Sequence, residues 1–135
     1  MTWEERNEAI KKNESMFKNI FDECETGFAI LQLPIEVPYK FRGLEDVEEI
    51  LNREPTREDY EILYAKNEEY GMWKEADFIP VANMLWVKFN EGNYPADYLG
   101  TSMSVSDVVL VKIRGTVKAL YVDSFGFKEL KNFHI

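Results

Sequence analysis

The chain has 135 residues, of which 45% are hydrophobic and 14% aromatic, and it carries a net charge of −9. This length and apolar content predict one folded domain over residues 1–135 and exclude a disordered chain. A single cysteine, Cys24, and a single histidine, His134, exclude an internal disulfide and a four-ligand structural zinc site. We therefore expect no cofactor and no metal.

The acidic charge is concentrated in the first part of the chain. Residues 1–79 carry 20 acidic and 10 basic residues, whereas residues 80–135 carry 5 and 6. Because proteins bind nucleic acids chiefly through Lys and Arg, this balance disfavours a DNA or RNA partner. The charged N-terminus lacks the apolar core of a signal peptide, and no run of about eighteen apolar residues occurs. We expect a cytoplasmic protein that does not span a membrane.

Apolar periodicity predicts three helices and four strands. The helices are predicted over residues 3–24, 44–51 and 80–89, and the strands over residues 28–33, 60–64, 108–113 and 117–123. The segment 66–77 is predicted to be an acidic surface loop. This order of elements predicts an α+β fold in a single two-layer domain. A mainly antiparallel four-stranded sheet would carry its helices mostly on one face, with the strand order left open.

Two of the helices have faces that could also be read as binding sites. The apolar face of the N-terminal helix, residues 1–25, includes Trp3 and Phe17 and is interpreted as packing on the domain itself; a partner-binding helix is the alternative. The helix over 44–51 carries Glu45, Asp46 and two further acids on its outer face. These acids surround a helix without converging, so we interpret them as a solvated face and not as a metal site.

Two motifs near the C-terminus resemble a known family. They are YPADYLG at residues 94–100, leading into SMSVSDVV at 102–109, and YVDSFGF at 121–127. With shorter matches upstream, the resemblance spans residues 28–128 and is to the YodL-like domain, found in Firmicute proteins and mobile genetic elements. The family implies no enzymatic activity. Thr101 stands where the family often has a histidine.

The same two motifs contain the candidate binding residues. Ser102, Ser104 and Ser106 alternate with apolar residues, so an extended segment would place the three hydroxyls on one face. Asp107 and Asp123 flank the two predicted strands and could lie near each other, as an acid–base pair or a cation site requires. The candidate binding set is completed by Ser124.

A structural role explains the same residues, because Ser and Asp side chains bond their own backbone in turns. No base stands at the spacing that a nucleophilic serine needs, so no catalytic residue is assigned. We therefore expect a non-catalytic protein-interaction module with an unidentified protein partner, as a monomer or a homodimer. The alternatives are a small hydrolase or transferase using Asp107 and Asp123, and an acidic DNA mimic of the anti-restriction type.

Overall fold

The computed structural model describes residues 1–67, 76–92 and 94–135, and most of the predicted acidic loop lies outside the described residues. The helices are α1 (Trp3–Glu23), α2 (Leu44–Leu51) and α3 (Phe78–Asn90), with a short 3-10 turn at Arg57–Asp59. The strands are β1 (Gly27–Gln32), β2 (Glu61–Asn67), β3 (Val108–Ile113), β4 (Thr116–Val122) and β5 (Phe127–Leu130). All seven predicted elements are present.

The strands form one sheet in the order β2-β1-β3-β4-β5, and every neighbouring pair is antiparallel. This confirms the α+β class and the antiparallel sheet. The described sheet has five strands where four were predicted. The fifth, β5, was missed because it has four residues, of which Lys128 and Glu129 are charged. So short a stretch has no apolar run by which a strand can be recognised.

Helices cover both faces of the sheet. On β1, Ala29 and Leu31 point to the core under α1 and α2, whereas Phe28 and Ile30 point to the core under α3. The prediction of two layers with helices mostly on one face therefore needs correction: α3 adds a third layer. Covering both faces is the reason that all six residues of β1 are buried, as are all six of β3.

Helix α1 begins at a capping box, in which Thr2 accepts the Glu5 N–H and the Glu5 side chain accepts the Thr2 N–H. Its C-terminal half packs on the sheet through Phe17, Phe21 and one further residue, Ile20. The prediction that Trp3 shares this packed face was wrong, because the indole is 73% exposed. Within the described part of the chain, no helix has both the length and the apolar character that crossing a bilayer requires.

Candidate functional site

The loop that carries the candidate serines is attached to β1 by one side chain, Gln32. The Gln32 Nε2 donates to the Thr101 carbonyl and to the Asp107 Oδ2, both at 3.0 Å, and the Gln32 Oε1 accepts the Thr101 N–H at 3.1 Å. The Tyr98 hydroxyl also donates to the Thr101 carbonyl at 2.6 Å. Thr101 at the start of the loop and Asp107 at its end are thus both bonded to the side-chain amide of Gln32.

Asp107 lies inside the protein with no exposed surface. Its Oδ2 accepts the Ser104 N–H at 2.8 Å as well as the Gln32 amide, whereas its Oδ1 is buried and has no hydrogen-bond partner among the described residues. Burial raises the pKa of Asp107 to about 7, against the lowering effects of the two hydrogen bonds and of the Lys40 charge. The carboxyl group therefore changes its protonation near neutral pH while it holds the loop.

The three candidate serines do not share a face, because the segment turns. The Asp107 N–H donates to the Ser104 carbonyl at 3.1 Å, and Ser106 has a φ of 86°, as at the third position of a type II turn. Ser104 donates its hydroxyl to the Ser102 carbonyl at 3.0 Å. The expected row of hydroxyls in an extended segment was therefore wrong. Ser102 and Ser104 are partly exposed, whereas Ser106 is buried.

Ser106 holds the exposed aromatic residue Phe41 in place. The Ser106 Oγ accepts the Phe41 N–H at 2.9 Å, and its carbonyl accepts the Tyr60 hydroxyl at 2.8 Å. Phe41 has a φ of 73°, a left-handed conformation that costs a bulky residue free energy unless its surroundings impose it. Its side chain is nevertheless 53% exposed.

Asp123 and Ser124 lie in the turn between β4 and β5. The Asp123 N–H donates to the Gly126 carbonyl at 2.9 Å, and Gly126 has the positive φ of 80° that the turn needs. The Asp123 Oδ1 accepts the Ser124 N–H at 2.8 Å and the Leu44 N–H, at the start of α2, at 3.3 Å. These hydrogen bonds attach the turn to α2 and lower the pKa of Asp123 against its partial burial.

The two candidate carboxylates do not form a pair. Asp107 is bonded to Gln32, which alternates with Leu31 and so lies on the α3 side of the sheet. Asp123 is bonded to Leu44, which belongs to the core on the α1 and α2 side. Because the two carboxylates face opposite sides of the sheet and share no hydrogen-bond partner among the described residues, this geometry does not fit direct proton exchange or one cation bound by both. Within residues 1–67, 76–92 and 94–135, no cluster of His, Cys, Asp and Glu could hold a metal ion.

A cavity of about 280 Å³ lies where Gln32 and Lys40 meet Thr101, with the exposed Trp3 on its wall. The Lys40 Nζ donates to the Leu33 carbonyl at 2.6 Å, and burial lowers the pKa of Lys40. Sequence reasoning missed both Gln32 and Lys40. For Gln32 a signal existed, since it is one polar residue inside the apolar run FAILQL.

Replacing Gln32 by Ala tests the attachment of the loop. We expect the free energy of unfolding to fall by about 1 to 3 kcal/mol, because the buried Asp107 carboxyl and the Thr101 N–H each lose a partner, whereas the Thr101 carbonyl keeps the Tyr98 hydroxyl. Chemical denaturation measures the change. Thr116→Ala, at an exposed strand position, is the control and should alter stability by less than about 0.5 kcal/mol. Equal stability of the two variants would contradict the assignment.

The fold and the site together define a small α+β domain in which polar contacts hold the segment 101–107 and the turn at 123–126 in place. The family model of the YodL-like domain matches residues 27–133, most of the chain, and the chain belongs to this family. The match confirms the resemblance seen in the sequence and leaves α1 outside the family region. No curated protein and no solved structure matches the chain.

Proposed function

We propose that the protein is a non-catalytic, cytoplasmic interaction module that binds a protein partner through the end of the β4–β5 hairpin. The observation that carries the proposal is Phe125, whose side chain is 97% exposed at the tip of the hairpin. Aromatic side chains that become buried on binding contribute strongly to protein interfaces. Of the six candidate residues, Asp123 and Ser124 belong to this surface, whereas Ser106 and Asp107 are inside the protein.

Hydrogen bonds and an ion pair within the domain stabilise the turn that presents Phe125. Asp123 accepts N–H groups from the turn and from α2, and its Oδ2 forms an ion pair with Lys128 at 3.2 Å. A side chain presented from an ordered turn loses less conformational entropy on binding than one on a disordered loop. The hydrogen bonds of Asp123 therefore support a role of this turn in recognition.

A photocrosslinking amino acid placed at position 125 tests the proposal in cells. We expect a discrete crosslinked product, because the group replaces an aromatic ring that contacts the partner. The control places the same group at Met84, which is 48% exposed on α3, the helix on the side of the sheet opposite α2. Product formation at both positions, or at neither, would contradict a binding surface at the hairpin.

A further inference from the structure

We infer that the partner presents a basic segment, with Lys or Arg beside an apolar side chain, to the hairpin end. This inference rests on the proposed function and adds the chemistry of the partner. A groove of about 350 Å³ runs between the hairpin turn and the start of α2, and Phe125 forms one of its walls. The occupant must therefore match both an aromatic ring and the charges that line this groove.

The charges of the groove are mainly negative. Among the residues that the structure describes, its lining includes the carboxylates of Glu45, Asp46 and Asp123 and one cation, Lys128. Lys128 is paired with Asp123, so Glu45 and Asp46 supply the negative charge that is left over. A partner segment with the opposite sign would be attracted to the groove, and one with the same sign would be repelled.

The Phe125 ring also favours a cationic side chain. A guanidinium or ammonium group stacks on the face of an aromatic ring while its N–H groups bond to carboxylates at the edge. Phe125 offers its ring to solvent beside Glu45 and Asp46, so both interactions are open to one Arg or Lys side chain. The apolar neighbour of that residue would cover the remaining surface of the Phe125 ring.

A second exposed aromatic residue lies at the same end of the domain. Phe41 precedes α2 by three residues, and the hydrogen bond from the Leu44 N–H to Asp123 joins its segment to the hairpin turn. The Tyr121 hydroxyl strengthens this connection by donating to the Arg42 carbonyl at 2.7 Å. Ser106 holds Phe41 itself through the Phe41 N–H, and these two hydrogen bonds hold the residues between Phe41 and α2 against the hairpin.

An array of short peptides of random sequence tests the inference directly. We expect the purified chain to bind peptides enriched in Arg or Lys next to an apolar residue. Phe125→Ala should abolish that binding. The double variant Glu45→Gln and Asp46→Asn should weaken it about fivefold, since two exposed ion pairs of ordinary strength are lost, and added salt should weaken wild-type binding further. Glu4→Gln with Glu8→Gln, on the exposed side of α1, removes the same charge and should bind as wild type does.

The outcomes separate the inference from the proposed function. Binding that requires Phe125 but is unaffected by Glu45→Gln with Asp46→Asn, or that selects peptides without basic residues, overturns the inference alone. Binding that persists in Phe125→Ala overturns both. Self-association of the chain that requires Phe125, seen by sedimentation without peptide, would identify a second copy as the occupant and would also overturn the inference.

Discussion

The free energy of unfolding should fall by about 2 to 3 kcal/mol between pH 5 and pH 8 because of Asp107 alone. The carboxyl has a pKa of about 7 in the folded protein and ionises near pH 4 in the unfolded chain. A folded-state pKa that is raised means that the folded state holds the proton more tightly. Stability is therefore highest when the group is protonated in both states, and it is lost as the pH rises through the folded pKa.

Asp107→Asn isolates this contribution. The amide keeps an oxygen to accept the Ser104 and Gln32 N–H groups and carries no charge at any pH. The difference in unfolding free energy between wild type and variant, measured by urea denaturation at several pH values, should change by the same amount, about 2 to 3 kcal/mol. The pKa values of Asp59, Asp123 and Glu129 are lowered, so these carboxyl groups change the free energy of unfolding below about pH 5 and not between pH 5 and pH 8. Parallel curves would show that Asp107 stays ionised throughout.

Phe89→Ala should remove about 3 to 5 kcal/mol of stability, a large part of what a domain of this size has. The ring is fully buried at the centre of the aromatic cluster under α3. Its centroid lies 5.0 Å from that of Tyr98, 5.6 Å from that of Tyr64 and 6.0 Å from that of Phe28. The substitution would leave a cavity among these rings and remove the contacts that the Phe89 ring makes with them.

Phe125→Ala is the matched control for this substitution. The same atoms are removed from a ring that is 97% exposed, so the free energy of unfolding should change by less than about 0.5 kcal/mol. Thermal denaturation of the two variants side by side measures the contrast. A large loss in Phe125→Ala would show that the hairpin ring packs on the domain, and a small loss in Phe89→Ala would show that the cluster under α3 is loosely packed.

Most elements of the fold could be predicted from the sequence because their patterns are local. The i, i+3, i+4 spacing of Phe17, Ile20 and Phe21 indicates a helix, and the apolar run at 108–113 indicates a buried strand. The face on which a helix packs is not a local property. The apolar stripe of α3 predicts one packed face, but the side of the sheet that it covers depends on contacts between residues far apart in the sequence, such as those of Leu85 and Phe89 with the core that includes Phe28.

The candidate site was predictable only in part, for a similar reason. Asp107 was recognised as a possible loop cap, and its bond to the Ser104 N–H has that form. Its second partner, Gln32, lies 75 residues away in the sequence, and no spacing rule connects the two. The turn at Ser106 was hidden because serine is not among the residues that usually indicate a positive φ. Phe125 lies in the motif YVDSFGF, but its exposure depends on the turn that Asp123 stabilises.

The position of β1 in the sheet also affects how the protein is made. The two neighbours of β1 are β2, about thirty residues later, and β3, which begins at Val108. At ordinary rates of synthesis, about 5 to 20 residues per second, several seconds pass between the emergence of Gln32 and that of Val108 from the ribosome. During that interval one edge of an apolar strand has no partner, and pairing so distant in sequence forms slowly. The nascent chain is therefore most exposed to aggregation before β3 is complete, and a chaperone that protects β1 would act in that interval.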